Sequence, residues 1–287
     1  MVALDFVATD VAAAPVRRRG LGPVFWIAVA WIAAVTLAGL LAGVLPLQDP
    51  NKMHLLARRA APSLAYLLGT DVFGRDILSR LLHGAGNSLA IGILAPVLGT
   101  VVGGTLGMLA GYFGGRLSAL IVAATDILLA FPPLVFALAV VAYAGVSLVN
   151  LILVLGLLTM PAVARVARAV TLAQRERDFV TAARALGASH TRILLREILP
   201  NLILPLSAFF LVLVAVIIVA EGILSFLGLG VPPPAPTWGS MIAEGRDYLD
   251  IAPHIAFIPS LAMFLTIFAF NIVGDRLRAV ADPRAAA

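Results

Sequence analysis

Two acidic residues, Asp126 and Glu221, stand within otherwise apolar stretches of the sequence. A carboxyl group in such a stretch is costly to bury, so it faces a partner, water or the interior of a helix bundle. An intramembrane hydrolase would need buried catalytic partners, and these two acids lie on different stretches. We interpret both as either structural acids or candidates for lining a polar path through the protein. For Asp126 we favour an ion pair with Arg165 or Arg168.

The other residues that could do chemistry form no catalytic or metal-binding pattern. The four histidines are scattered at His54, His83, His190 and His254, without metal-ligand spacing. The sequence contains no cysteine, which excludes disulfides and thiol chemistry. It also lacks the P-loop pattern GxxxxGK[ST], and its one lysine is Lys52. The sequence therefore predicts a non-catalytic chain without a metal or cofactor of its own.

The composition indicates which elements must position these residues. Hydrophobic residues make up 61% of the chain and charged residues 12%, with a mean hydropathy of +1.05, whereas a soluble domain has about 25% charged residues. Since a transmembrane helix needs roughly 20 apolar residues, we predict an all-α, polytopic membrane protein with about six transmembrane helices. The predicted spans are 24–45, 88–112, 117–143, 148–164, 202–227 and 255–273.

The positions of the basic residues predict the orientation. Fourteen of the 20 basic residues fall on the side of the N-terminus, which the positive-inside rule places in the cytoplasm. Because the arginines form short clusters between apolar stretches, no nucleic-acid partner is expected. We divide the chain into a cytoplasmic tail (1–23), a first transmembrane helix (24–45) that is too long for a signal peptide, an external loop region (46–87), a membrane core (88–275) and a second cytoplasmic tail (276–287).

Two external segments have compositions suited to a folded cap. The first is predicted to contain a short amphipathic helix over 75–83 and salt bridges among Asp71, Arg75 and Asp76. The second, 228–254, has prolines that favour a stiff extended backbone. Its candidates for contact with an external partner are Trp238, Arg246, Asp247 and Tyr248. An aromatic anchor at the membrane interface explains Trp238 almost as well.

Glycines recur every fourth residue along the second predicted span. They are Gly99, Gly103, Gly107, Gly111 and Gly115. Because lipid supplies little hydrophobic drive between helices, close backbone approach must hold them together. We interpret the series as a helix-packing groove, with a permeation path as the alternative.

The segment DFVTAARALGASHTRILLREILPN (178–201) is predicted to form a helix, a turn and a second helix on the cytoplasmic side. An apolar face is formed by Phe179, Ala182, Ala183 and Leu186. Gly187 suits the left-handed end of the first helix, Ser189 the N-cap of the second, and Pro200 its end. The residues alone leave two interpretations open. This elbow, 174–200, either lies on the lipid surface or docks to a soluble partner.

The pattern Ala182-Ala183-x3-Gly187, followed by Pro200, resembles the EAA loop of ABC importer permeases. Four further stretches are similar to the C-type permease subunit of dipeptide/oligopeptide importers. They are LGTDVFGRDILSRLLHGA (68–85), GYFGGRLSALIVAATDILLAFPPL (111–134), EGILSFLGLGVPPPAPTWGSMIAEGR (221–246) and FNIVGDRLRAVADPR (270–284). The resemblance covers nearly the full chain after the first span.

This resemblance implies an ABC type I importer permease fold and a division of labour. A related B-type permease subunit would form a heterodimer with this chain, two ABC ATPase subunits would bind ATP and Mg, and an external binding protein would deliver substrate. The elbow would be the coupling helix that enters a groove on one ATPase. The coupling residues would be Asp178, Phe179, Ala182, Ala183, Arg184, Ala185, Leu186, Gly187, Ala188 and Pro200.

The expected function is ATP-driven import across the bacterial inner membrane, with both termini cytoplasmic and di- or oligopeptides as cargo. Related permeases carry nickel chelates, haem or glycosides, which are the alternatives within this architecture. A stand-alone secondary transporter or channel is an alternative of another class; it would lead us to expect inverted repeats with broken helices. A membrane-anchored structural protein would leave the elbow and the two external segments unexplained.

Overall fold

The computed structural model describes residues 21–281 of the chain. Its helices are α1 (Gly22–Leu41), α2 (Ile77–Phe113), α3 (Gly115–Ala130), α4 (Pro133–Ala144), α5 (Leu148–Arg175), α6 (Asp178–Ala185), α7 (His190–Phe226), α8 (Trp238–Gly245) and α9 (His254–Ala281). Short 3-10 turns occur at Leu55–Ala57 and Arg246–Tyr248. The predicted all-α fold is confirmed. Predicted tail residues 1–20 and 282–287 lie outside the described part of the chain.

Five of these helices, α1, α2, α5, α7 and α9, are long and apolar enough to cross a membrane. Helices α3 and α4 meet at a bend of 85°, and counted together as one broken span they would be a sixth. The prediction of one uninterrupted helix over 117–143 is therefore wrong. Pro132 and Pro133 follow each other at the bend; neither can donate a backbone hydrogen bond, and their rings clash with a continuing helix.

The predicted short helix over 75–83 is also wrong, because α2 begins at Ile77 and continues without interruption to Phe113. Asp76 is its N-cap, and the carboxylate accepts a hydrogen bond of 2.8 Å from the backbone N–H of Ser79. Gly114, with φ of +67°, ends the helix. The apolar pattern missed the first three turns because the external segment, rather than lipid, covers them.

Pro200 does not end a helix, contrary to the prediction. Helix α7 runs from His190 to Phe226, and its turn Ile193–Ile198 is a π-helix. The N–H of Leu199 bonds to the carbonyl of Leu194, five residues earlier. This wider turn shifts the hydrogen-bond register just before Pro200. The helix therefore continues past the proline, although the proline has no N–H to donate.

The glycines of α2 lie against α5. A side chain at Gly99 would collide with Thr159 and with the carbonyl of Gly156; one at Gly103 with the backbone of Met160; one at Gly107 with the backbone of Ala164. Gly111 likewise lies against Arg168 and Thr171 of α5. Gly115 is not part of this groove, which corrects the prediction: it begins α3, has φ of +52° and has open space around it.

The bundle has two ends, which we name by their segments. The elbow end carries α6 and the start of α7; the loop end carries residues 42–76 and 227–253. Phe25 near the start of α1 and Val273 near the end of α9 belong to one buried cluster, and Gly274 packs near Ala208, close to the elbow. Both termini of the described chain therefore lie at the elbow end.

Candidate functional site

The elbow is a rigid corner made of α6 and the first turn of α7. The N–H of Gly187 donates to the carbonyl of Arg184 (2.9 Å), and the N–H of Ala188 donates to the carbonyl of Ala183 (3.0 Å). With Gly187 at φ of +77°, this is a Schellman motif, which satisfies the free carbonyls at the end of a helix. The predicted role of Gly187 in ending α6 follows from this geometry.

Ser189 caps α7, as predicted from the sequence. Its hydroxyl accepts a hydrogen bond of 3.3 Å from the N–H of Arg192. Only Gly187 and Ala188 separate the last residue of the α6 cap from Ser189. A connection this short, with hydrogen bonds on both sides, leaves the two helices little freedom to move relative to each other.

The apolar residues of the elbow divide into two faces. Val180 is fully buried, and Ala183 and Ala188 pack on the same cluster as Ile193 and Ile198. The predicted single face is thus partly wrong, since Ala183 faces the bundle. The other three members of that face, Phe179, Ala182 and Leu186, are exposed, and so is Ala185. We call the three residues Phe179, Ala182 and Leu186 the elbow ridge; Leu186 is 88% exposed.

The remaining elbow residues flank this ridge. Asp178 and Arg184 are exposed at the two ends of α6. The guanidinium of Arg184 lies 5.6 Å from the centre of the Tyr112 ring. Pro200 is exposed but lies in α7, beyond the π-helical turn and away from the corner.

Sequence reasoning missed a contact between the elbow and α2. The phenolic oxygen of Tyr112 is 2.8 Å from Nδ1 of His190. Tyr112 is buried, and its ring meets the imidazole edge-on. No local pattern in the sequence indicated this contact, because Tyr112 and His190 are 78 residues apart and lie on different helices.

Asp126 forms the predicted ion pair. Its carboxylate is 2.7 Å from the guanidinium of Arg165, and both side chains are about half exposed. Arg168 bonds instead to the hydroxyl of Ser118, at 3.1 Å.

Glu221 is 1% exposed and is held by hydrogen bonds. Its Oε1 accepts from the hydroxyls of Ser225 (2.7 Å) and Thr237 (2.8 Å), while Oε2 has no hydrogen-bond partner among the described residues. Thr237 is also the N-cap of α8. Of the two roles left open by the sequence, this geometry favours the structural one.

Trp238 was predicted to be exposed, and this is wrong. It is 1% exposed, and its indole N–H donates to the carbonyl of Leu81 in α2 (3.1 Å). Arg246 and Asp247 are exposed at the loop end. Tyr248 is half-buried, and the Arg59 guanidinium lies over its ring. The backbone N–H of Trp238 also donates to the hydroxyl of Ser88 in α2 (3.0 Å), so this aromatic residue packs into the bundle rather than at the interface.

A buried ionic cluster joins the two loop-end segments. Arg75 pairs with Asp71 (2.5 Å), as predicted, and with Glu244 (2.5 Å). Arg80 lies 3.4 Å from Asp71 and 3.5 Å from Glu244. Asp76 was predicted to join this set but caps α2 instead. Glu244 lies far along the chain from these arginines, and no local pattern predicted that it would join them.

Membrane-crossing helices, a glycine-lined interface and a rigid corner at one end define a polytopic membrane protein of the permease class. Residues 103–287 match the family described as "Binding-protein-dependent transport system inner membrane component". The chain belongs to this family, and the resemblance inferred from its motifs is confirmed.

Relatives match over most of the chain. The glutathione transport system permease protein GsiD of Pectobacterium atrosepticum is 44% identical over 84% of this chain and 80% of its own length. GsiD of Escherichia coli O6:K15:H31 is 45% identical over 78% and 74%. A Brucella suis biovar 1 protein, named provisionally as a peptide transport system permease, is 41% identical over 93% and 89%.

A solved structure shows the same fold. A chain from an inward-facing crystal form of the MetNI methionine ABC transporter superposes with a TM-score of 0.58 at 19% identity. The superposition covers 70% of this chain and 96% of that one. The predicted ABC importer permease fold is confirmed.

Proposed function

We propose that this chain is the membrane-spanning, non-catalytic subunit of an ATP-driven importer, and that its elbow receives force from an ATPase subunit. In this arrangement ATP and Mg are bound by two partner ATPases. A related permease completes the pathway, and an external binding protein delivers cargo at the loop end. Family membership and the geometry of the elbow support the proposal.

The observation that carries it is the exposed elbow ridge on a corner with caps on both sides of its turn. Apolar side chains held rigidly in water favour contact with a protein partner. The exposed arginines beside the ridge, Arg177, Arg184 and Arg192, would also suit anionic lipid headgroups, so we base the choice of a protein partner on the family and on the rigidity of the corner. A stiff corner also transmits displacement, which a flexible loop would absorb.

We propose that the elbow end, with both ends of the described chain, lies in the cytoplasm, and the excess of basic residues at that end supports this orientation. The exposed surfaces of helices α3 and α4 support the proposal of a second membrane subunit. These helices bury few side chains in this chain, and several large apolar residues on them are exposed. Lipid covers such an apolar face just as readily as a partner helix does. We therefore base the proposed heterodimer on the family in addition to this exposure.

The names of the relatives direct the choice of cargo. Two are named as glutathione transport permeases and one as a peptide transport permease, so we propose peptides, with glutathione the first to test. At the loop end, the exposed pair Arg246 and Asp247 and the half-buried Tyr248 are the proposed contacts for the binding protein; the buried Trp238 is left out.

The absence of cysteine makes a direct test of docking simple. A single cysteine at Leu186→Cys should crosslink to an ATPase subunit in the assembled complex and should react with impermeant maleimide only from the cytoplasmic side. The matched control is Asp247→Cys, exposed at the loop end, which should show neither behaviour. Crosslinking that is equal for both positions, or labelling of Leu186→Cys from outside, would contradict the proposal.

Transport is tested in proteoliposomes that contain the complete importer. Uptake of radiolabelled reduced glutathione or of dipeptides should require ATP and the binding protein. Uptake by this chain alone, without nucleotide, would instead establish a secondary transporter. Uptake of nickel chelates, haem or glycosides in preference to peptides would keep the architecture and change the cargo.

A further inference from the structure

Helix α2 makes polar contacts at both ends of the described bundle. It begins at Ile77 in the loop-end region and ends at Phe113 beside the elbow. Its 37 residues correspond to a length of about 55 Å at 1.5 Å per residue. It therefore reaches from one side of the membrane to the other as a single element.

At the loop end, three uncharged hydrogen bonds fasten the external segment to α2. The indole N–H of Trp238 donates to Leu81, and its backbone N–H donates to the hydroxyl of Ser88 (3.0 Å). The side-chain amide of Asn87 donates to the carbonyl of Pro236 (2.7 Å). Leu81 lies about two turns of α2 before the adjacent residues Asn87 and Ser88, so the bonds resist both sliding and rotation of the segment.

Buried charges strengthen this attachment. Glu244 of α8 pairs with Arg75 and Arg80, and both arginines are almost completely buried. Moving α8 away from α2 would leave these guanidinium groups with one acid, Asp71, between them. Because an unpaired buried charge is strongly unfavourable, α8 and the first turns of α2 move together.

At the elbow end, one side chain of α2 meets both helices of the corner. Tyr112 hydrogen-bonds His190 at the start of α7 and lies under Arg184 of α6. Arg175, at the end of α5, donates to the carbonyls of Gly111 and Tyr112, which fixes the last turn of α2. The elbow is thus held in position on a turn that is itself fixed.

Between these ends, α2 is packed closely enough to act as a rigid rod. Gly92 lies against Ile218 of α7, while Gly99 and Gly107 lie against the backbone of α5. Pro96, which interrupts the backbone hydrogen bonding of α2, is buried between these contacts. Close packing on both sides opposes bending at that point.

We propose that Tyr112 is a positioning residue through which α2 fixes the elbow relative to the external segment. Docking of the binding protein at the loop end then changes the activity of the ATPase. This inference rests on the proposed function. It concerns a residue outside the elbow motif, and its contact with His190 joins two elements that are 78 residues apart in the chain.

The test uses the complete importer in nanodiscs, with reduced glutathione as the probe. Tyr112→Phe removes only the hydroxyl and keeps the buried ring. We expect the stimulation of ATPase activity by glutathione-loaded binding protein to fall about three- to tenfold, as for loss of one hydrogen bond, while unstimulated activity stays within about twofold. The matched control is Thr105→Val, also on α2, whose exposed hydroxyl donates to the carbonyl of Val101 one turn earlier; it should behave as wild type.

Variants of His190, which is exposed, separate positioning from folding. His190→Asn keeps a hydrogen-bonding group near the position of Nδ1 and should retain most of the stimulation; His190→Leu should match Tyr112→Phe. The double variant Tyr112→Phe/His190→Leu should be no worse than either single variant. Normal stimulation in Tyr112→Phe, or additive losses in the double variant, would overturn the inference alone. A wild-type complex without glutathione-stimulated ATPase or uptake would overturn the proposed function with it.

Discussion

The carboxylate of Glu221 in α7 accepts a hydrogen bond of 2.8 Å from the hydroxyl of Thr237, the residue that caps α8. The same oxygen accepts from Ser225, one turn further along α7. A single acid therefore joins a membrane helix to the external segment. Because all three side chains are buried, the bonds form away from water, where a lost partner is costly.

Replacing Glu221 tests this structural role. Glu221→Gln keeps the accepting oxygen and the shape, so we expect a change in unfolding free energy below about 1 kcal/mol. Glu221→Leu leaves two buried hydroxyls without their acceptor and should destabilise by about 2 kcal/mol. Thermal unfolding of the purified chain in detergent measures both. Equal stability of the Gln and Leu variants would contradict the structural role and favour a function in the pathway.

Adjacent glycines of α2 give a matched pair for the packing groove. A methyl group at Gly103 would overlap the backbone of Met160, whereas one at Gly104 meets only the end of the Leu206 side chain, at 3.3 Å. Gly103→Ala should therefore destabilise by about 2–3 kcal/mol. Gly104→Ala should be neutral or stabilise by up to about 1 kcal/mol, since alanine is the better helix former. Membrane abundance and melting temperature report both effects, and identical behaviour of the two variants would argue against the groove.

The sequence predicted the number of spans well but not their ends. Apolar length marks the part of a helix that lipid covers, so it missed the turns of α2 around Gly84, which lie against Thr237 and Trp238. It also missed the continuation of α5 to Arg175. Local rules failed at Pro200 because a π-helical turn precedes it, and Ile193 and Ile198 of that turn are buried in the bundle.

At the elbow, short-range signals in the sequence were sufficient to predict the helix caps, but not which face of α6 is buried. Gly187 and Ser189 act on neighbouring backbone groups, so their effect is readable from a few residues. Which side of α6 faces the bundle depends on α7, and Val180 rather than Phe179 is the buried residue. The contacts of Tyr112 with His190 and of Arg80 with Glu244 join distant parts of the chain, and no local pattern encodes them.

Asp76 predicts a dependence of stability on pH. Burial raises the pKa of its carboxyl above the ordinary value of 3.8, and hydrogen bonds from the N–H groups of Ser79 and Leu78 offset part of this effect. The folded chain then binds the proton more tightly than the unfolded chain. The contribution of this group to stability therefore falls as the pH rises from 3.8 through the raised pKa.

Two variants separate the charge of Asp76 from its role as a cap. Asp76→Asn still caps α2 and cannot titrate, so it should reduce the pH dependence of the melting temperature and be at least as stable as wild type near neutral pH. Asp76→Ala should lose about 1 kcal/mol through the missing cap. The measurement is thermal unfolding at several pH values in detergent. An unchanged pH profile in Asp76→Asn would exclude this carboxyl as the source.

Gly187 offers the sharpest test of the elbow as a rigid coupler. Its φ of +77° is unfavourable for a β-branched residue by about 1–2 kcal/mol, although a side chain there would meet open space. Gly187→Val should therefore distort the corner without crowding it, and we expect transport per ATP hydrolysed to fall about tenfold. Gly187→Asn, which tolerates this conformation, should remain coupled.

The turn between α4 and α5 supplies the control for backbone strain. Gly145 has φ of +83° and equally open surroundings, but it lies at the loop end, away from the elbow. Gly145→Val should lower stability by about the same 1–2 kcal/mol while ATP hydrolysis stays coupled to uptake. Uptake and ATPase activity measured together in proteoliposomes distinguish the two positions. If both valine variants uncouple equally, strain anywhere in the bundle is sufficient, and the corner at Gly187 has no special part in receiving force.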